Sequence, residues 1–512
     1  MIALLILGTF VGLVFLTRSK PRRDARFASV VESGPLRARP HDERLGLGRR
    51  ATERWRPTSM ELATPASSSL LILGPTQSGK TSSLIIPALM SWRGPVFAAS
   101  VKDDLVASTA AWRRSRGPVS VLDPSNPGRP HGVSFNPVAM GRTLEEARQV
   151  SWQLCSAAAD DLPGTDATFW SQMAAKHLAP LLVAAAYARG DAETVARWID
   201  RRDRYEPERL LQEAGEGDAL EWLEAALDRD ERQLSSVYAT LETLLAPLRG
   251  GTEAPGFDPS RLLEGEGTLY LCATAHDQRR FRPLFTATTE ILLTHAFALA
   301  RQQGGRLQKP LLVVLDEAAA IAPLRELDVL AATCASHGIT LVTCFQDLAQ
   351  VRARYGPRTE TVVNNHTTRV LLSGLADPGS AELLGILTGS ARAQVARRAL
   401  SGQQVSDERR AILEPHELRR MPVHTGVVIS GRMAPVRLRL VPWWRQGDVA
   451  RRGLLPGPDY APSHDRGHAT TTRRHWRDFG SSLRRTRRAP LRHSQPQNAT
   501  PSDTSRSARR DF

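Results

Sequence analysis

Residues 71–90, LILGPTQSGKTSSLIIPALM, restrict the fold more than any other stretch of this chain of 512 residues. An apolar run breaks into Gly74-Pro75-Thr76-Gln77-Ser78-Gly79-Lys80-Thr81 and resumes at helical spacing. That loop satisfies G-x-x-x-x-G-K-[ST] in full, between a predicted strand and a predicted helix. Such a loop turns its backbone N–H groups inward at a helix N-terminus and cradles an anion. Gly74 to Thr81 are therefore expected to bind the phosphates of ATP. Gly79 lets the chain approach them, Lys80 neutralises the β/γ oxygens, and Thr81 offers its hydroxyl to Mg²⁺.

A phosphate cradle becomes a hydrolase only with an acid at the end of another buried strand. PLLVVLDEAAAI supplies one, because the apolar run Leu311 to Leu315 leads into Asp316 and Glu317. Asp316 suits the Mg²⁺ shell, and Glu317 is the neighbour able to polarise an attacking water. A third candidate is Gln346 in GITLVTCFQDLAQ, just past a strand expected beside the one ending in Asp316. There it would sense the γ-phosphate or orient water.

The rest of the chain fits around this centre. SSLLILG, GPVFAAS and GPVSVLDPS read as strands separated by helical segments, the pattern of a parallel sheet with right-handed crossovers. From about 142 to 250 every segment is helical, which predicts an all-α insertion. Strand signals return in GTLYLCAT, PLLVVLDEA, GITLVTCFQ and TRVLLSG, and HTGVVISGRMAPVRLRLVPWW reads as a two-strand unit closing the body. Residues 24 to 65, rich in Arg, Pro and Ser without sustained periodicity, read as a linker.

Charge is uneven. Of the net +15, residues 18–56 carry twelve Lys/Arg against five acids and residues 463–512 carry twelve Arg against four, so the body between them sums to zero. The basic ends are the parts suited to a polyanion. The arginine-rich tail has few aliphatics and is expected to be disordered, with non-specific DNA or anionic lipid as its partner. The acidic series at Glu206, Glu208, Glu213, Glu216, Asp218, Glu221 and Glu224 reads as a solvated helix face. Cys155, Cys272, Cys334 and Cys344 form no C-x-x-C pattern and predict reduced thiols in a cytoplasmic body. Ile2 to Leu16 is an uncharged apolar run followed by Arg18, Lys20, Arg22 and Arg23. It predicts a single membrane helix, short of the usual length of about 20 residues, with the body on the cytoplasmic side.

GPTQSGKTSSLIIPAL, FAASVKDDL, VSFNPV, FWSQMAAKHLAPLL, the stretch from LDEAAAIAPL to FQDLAQVRARYG, and VVNNHTTRVLLSGLADP occur in one order. Together they resemble the type IV coupling protein family, the conjugative DNA-transfer ATPases of the TraG/TraD/VirD4 type. The resemblance covers roughly 68–445 and is most specific over 311–378. It implies an α/β fold, a RecA/FtsK-like P-loop NTPase with a mainly parallel sheet and an inserted all-α domain. It further implies membrane anchorage, a homo-hexamer, and delivery of relaxase-bound single-stranded DNA, or of protein, to a type IV secretion channel. The resulting division is a transmembrane helix over 1–17, a basic linker over 18–66, NTPase segments over 67–141 and 256–445, the insertion over 142–255, and a tail over 446–512. Two departures stand out: family members often have two membrane helices, and Ala335 in TCASHGI stands where an arginine reaching a neighbouring subunit's ATP is usual. Arg352, Arg354 and Arg369 are the nearby arginines. The readings left open are a DNA-pumping motor, a protein-substrate receptor with the same ATPase, and an ATP-binding membrane scaffold.

Overall fold

Short apolar runs become strands here because both of their faces are covered. In the computed structural model, which describes residues 25–453 except 40–43, 127, 160–166, 250–253, 275 and 400–401, and only the backbone over 392–408, thirteen strands are present among the described residues. They are β1 (Gly46–Ala51), β2 (Pro57–Ala63), β3 (Leu70–Leu73), β4 (Val96–Ser100), β5 (Val119–Leu122), β6 (Thr268–Cys272), β7 (Leu311–Asp316), β8 (Ile339–Phe345), β9 (Thr368–Leu372), β10 (Ser390–Ala399), β11 (Gly402–Ala411), β12 (Thr425–Ser430) and β13 (Val436–Arg439). Eleven of them join one sheet in the order β2-β1-β13-β12-β9-β3-β8-β7-β4-β6-β5. From β9 to β5 every pairing is parallel, and from β9 to β2 every pairing is antiparallel.

Alternation sorts each central strand between two cores. Leu71, Leu73, Val313 and Leu315 face a cluster shared with the helix Gln278–Gln302 and the insertion. Leu70, Ile72, Leu312 and Val314 face a second cluster, with Leu84, Ile85 and Leu89 after the P-loop and Leu105, Val106 and Ala110 of the helix Asp104–Arg114. Strands buried on both faces need no polar alternation, so they read as continuous apolar runs.

Between β5 and β6 lie the helices Leu144–Ala159, Ala167–Tyr187, Ala192–Arg201, Tyr205–Ala214, Gly217–Leu227 and Glu231–Leu245. The first two bury Ala147, Ala157, Ala158, Ala174, Ala175 and Ala179, whose small side chains let the helices approach closely. The acidic series is mostly solvated, and two of its members pair locally, Arg204 with Glu208 and Arg209 with Glu213. Inside the insertion His177 is buried, its Nδ1 has no hydrogen-bond partner, and its ring meets Tyr238 edge-on at 5.1 Å. Burial, with Arg229 nearby, holds this imidazole down at about 4, and burial holds His366 at about 4 too. The unfolded chain thus binds more protons than the folded one between about pH 6.5 and 4, so both histidines make stability fall as pH falls through that window. His177→Phe keeps the edge-on contact and removes one of these protons, so the acid-side decline of the denaturant midpoint should be shallower by about one proton's slope. An unchanged slope would show that His177 is not held neutral.

Arg113 is fully buried. Its Nε donates to Thr268 Oγ1 (2.8 Å), Nη1 to the Trp92 carbonyl (2.8 Å), and Nη2 to the carbonyls of Gly94 (2.8 Å) and Glu266 (3.1 Å). One guanidinium thereby satisfies the loops that enter β4 and β6.

Two readings need correction. The stretch read as a linker contains β1 and β2, which extend the sheet past β13, and Leu36, Leu47 and Leu62 upstream of the P-loop are buried. The tail read as starting at 446 begins with a docked helix, Gly447–Gly453, where Val449 is buried and Arg452 Nη1 donates to the Met90 carbonyl (3.0 Å). The hairpin of β10 and β11 was not anticipated. The membrane helix over 1–17 and the tail beyond 453 lie outside the described residues; within them no helix is long and apolar enough to cross a membrane. All four cysteines are free and buried.

Candidate nucleotide site

Sheet order explains how three separated segments meet. β8 lies between β3 and β7, with Leu73 in register with Phe345 and Leu315 with Thr343. The parallel strands therefore end side by side, and Asp316 at the end of β7 comes to one edge with Gly74, Gln346 and Glu317, which follow β3, β8 and β7. This is the edge at which ligands sit in open parallel sheets.

The P-loop holds the backbone that the glycines permit. Gln77 and Gly79 have φ of 63° and 96°, the left-handed conformations of an anion nest. A Cβ at Gly74 would lie 2.9 Å from Leu372 Cβ, and one at Gly79 would lie 2.7 Å from His424 Nδ1. The loop is thus clamped between β9 and the entry to β12. The Gly74 N–H donates to the Phe345 carbonyl (3.1 Å), which ties the loop to β8. Thr76 and Gln77 are exposed and Pro75 is half-buried, whereas Ser78 and Lys80 are buried. The Lys80 ammonium donates to the carbonyls of Gly74 and Pro75, so it is already folded into the loop. Thr81 begins a π turn, Thr81–Ile85, that leads into the helix Ile86–Ser91.

Thr81 Oγ1 donates to Asp316 Oδ2 at 2.8 Å. Burial pushes the Asp316 carboxyl up to about 6; Thr81 and Lys80 pull against that shift, and Asp104 and Glu317 add to it. Glu317 is half-buried and has φ of 72°, an uncommon conformation for a residue with a side chain. It breaks the strand before the turn Ala318–Ile321. Gln346 is half-buried and its backbone N–H donates to Gln350 Oε1 (2.9 Å). The P-loop, Asp316, Glu317 and Gln346 are therefore brought to one edge of the sheet, and Thr81 touches Asp316 directly.

The donor set fits a nucleotide with a divalent cation. A hard cation prefers the hydroxyl of Thr81 and the carboxylate of Asp316, and the buried Ser78 Oγ in the loop has no protein partner. Ser83 Oγ and His424 Nδ1, beside Gly79, are likewise buried without a hydrogen-bond partner. His424 was missed in the sequence: it lies about 345 residues after Gly79, and only the antiparallel pairing of β12 with β9 brings it to the loop. No local signal marks it.

The arginines near the acid pair take structural places. Arg369 Nε donates to the carbonyls of Val363 and His366, and Arg354 Nη2 to that of Pro323. Arg352 lies against Gly379. At Ala335 a guanidinium does arrive from elsewhere, since the exposed Arg306 donates to the Ala335 carbonyl at 3.1 Å and to Ser67 Oγ at 3.2 Å.

Comparison with known proteins agrees with this arrangement. The conjugal transfer protein TraG of Escherichia coli is 26% identical over 401 residues, covering 69% of this chain and 61% of that protein. Protein VirD4 of Rhizobium rhizogenes is 23% identical over 422 residues, covering 76% and 61%. The chain thus spans about three fifths of the length of these curated relatives. Among solved structures, the bacterial conjugative coupling protein TrwBdeltaN70 matches with a TM-score of 0.61 at 17% identity, over 82% of this chain and 93% of that one. TrwB in complex with ADP and Mg²⁺ matches with a TM-score of 0.59 at 17% identity, over 82% and 93%. At these identities the likeness establishes the fold, a large, mostly parallel α/β sheet. The model of the family "Type IV secretory system Conjugative DNA transfer" matches residues 48–460, most of the chain and the sheet from within β1 to β13, and it is to this conjugative DNA-transfer family that the chain belongs.

Proposed function

We propose that this chain is a P-loop ATP hydrolase that couples hydrolysis to the movement of DNA toward a type IV secretion channel. The observation that carries the reading is the direct contact of Thr81 with Asp316 beneath the P-loop, next to Glu317 and Gln346. With ATP and Mg²⁺ bound, Lys80 would draw charge from the phosphates, Thr81 and Asp316 would hold the cation, Glu317 would orient and deprotonate the attacking water, and Gln346 would report the γ-phosphate to the helix that follows β8. A cation held by Thr81 and Asp316 would supply neutralisation of the phosphate charge. Family membership supports DNA as cargo, with a relaxase and channel components as partners, a hexameric ring as the working assembly, and a membrane anchor at the N-terminus.

The test is steady-state phosphate release by the full chain with and without single-stranded DNA. Stimulation of several-fold is expected, with no stimulation by an acidic polypeptide of matched charge. Equal rates with and without DNA would overturn the coupling of hydrolysis to DNA.

A further inference from the structure

One side of Gly79 is closed from two directions. The point where a Cβ would stand lies 2.7 Å from His424 Nδ1 and 3.4 Å from Ser83 Oγ, so both polar atoms face the small space that the glycine leaves. Both are buried, and neither has a hydrogen-bond partner among the described residues. Folded chains pair nearly all such atoms, because a buried polar atom left unpaired is destabilising. The φ of 96° accounts for a glycine at 79, but not for two unpaired polar atoms that converge beside it.

The two side chains ride on different parts of the fold. Ser83 belongs to the π turn Thr81–Ile85 that follows the P-loop, and its N–H donates to the Gly79 carbonyl (2.9 Å). His424 stands at the entry to β12 with φ of 61°. It is held there by Arg439 Nη1, which donates to the Val423 carbonyl (2.9 Å), and by the Leu440 N–H, which donates to the His424 carbonyl (2.9 Å). A residue with a side chain keeps a left-handed backbone only where its surroundings dictate it, and such residues gather at functional sites.

The chemistry of the pair is complementary. Burial, with Arg439 and Arg445 nearby, holds the His424 imidazole below its ordinary range, so the ring is neutral at pH 7. With its proton on Nε2 the ring presents Nδ1 as an acceptor, and the Ser83 hydroxyl is a donor.

We propose that Ser83 and His424 are positioning residues that form a clasp beside Gly79, the serine hydroxyl donating to His424 Nδ1 when the loop closes on the phosphates of a nucleotide. The clasp rests on the nucleotide site described above and adds the pair of side chains that sets how tightly the loop holds. It also ties the P-loop to β12 and, through the pairing of β12 with β13 and of β13 with β1, to the antiparallel half of the sheet.

The experiment measures the dissociation constant of a fluorescent ADP, in the presence of Mg²⁺, for the full chain. Ser83→Ala and His424→Phe should each weaken binding about 10- to 100-fold, the scale for a group that orients a ligand's holder. The double variant should bind no more weakly than either single one, since both remove the same bond. His424→Asn should keep most of the parent's affinity, because its amide oxygen accepts where Nδ1 did and asparagine tolerates the left-handed backbone. Without nucleotide, the urea midpoint of Ser83→Ala should not fall, because an unpaired hydroxyl adds no stability there. Additive losses in the double variant, or His424→Asn as weak as His424→Phe, would overturn the clasp by removing the shared bond. A lowered midpoint in nucleotide-free Ser83→Ala would overturn it by making that bond part of the empty fold. Unchanged affinity in every variant, with the parent chain binding ADP, would overturn the clasp and leave the nucleotide site standing. No binding by the parent chain would remove both.

Discussion

Lys80→Ala is expected to abolish nucleotide binding, whereas Glu317→Gln keeps binding and slows hydrolysis by about 10² to 10⁴-fold. The two acids differ in what they touch. Asp316 is buried and bonded to Thr81, as suits a residue that holds the cation, while Glu317 is half-buried, turned out of the strand by its left-handed backbone, and free of that contact. Lys80 is buried against the loop carbonyls, so its removal empties the interior of the cradle rather than its rim. Titration with a fluorescent ATP analogue and single-turnover phosphate release separate the two effects. Hydrolysis at the parent rate by Glu317→Gln would move water activation to another group, and tight binding by Lys80→Ala would show that the loop's N–H groups suffice.

The second large effect is on stability. Arg113→Met is expected to cost about 4 kcal/mol, because it removes one guanidinium and leaves the carbonyls of Trp92, Gly94 and Glu266 and the hydroxyl of Thr268 without their donor in a dry site. Burial already holds this arginine below its ordinary pKa, so part of the native stability is spent on keeping it charged. Lysine at 113 reaches fewer of the four acceptors and should recover only part of the loss. The midpoint of denaturation by urea, followed by tryptophan fluorescence, reads the change. An unaltered midpoint in Arg113→Met would mean that the loops entering β4 and β6 find other donors.

How much was legible depended on whether the cause of an element was local. The P-loop is written in eight consecutive residues, and Asp316-Glu317 follow a run that is apolar because both its faces are covered. The insertion announces itself through helical periodicity. β1 and β2 do not, because GLGRRA and PTSMELA place arginines, glutamate and threonine on exposed or half-buried positions at the margin of the sheet, and the partner of Arg49 is Arg439. SARAQVARRA and GQQVSDERRA, the sequences of β10 and β11, carry no sustained apolar alternation to read. His424 and Arg306 reach their places only through sheet order and a loop that folds back, which no window of sequence contains.

The order of strands in the sheet also dictates an order of events on the ribosome. β3 is made early, yet both its neighbours, β8 and β9, begin with Ile339 and Thr368, so the strand that ends in the P-loop emerges without either partner. β1 waits longer, about 390 residues, for β13. At about 5 to 20 residues per second the N-terminal hairpin of β1 and β2 spends roughly 20 to 80 s with an unpaired edge. The arginines Arg49 and Arg50 on β1 then act as guards during synthesis, since charge on an edge strand discourages pairing with another nascent chain. A chain begun at residue 57, which lacks β1, would leave β13 with that same open edge for good.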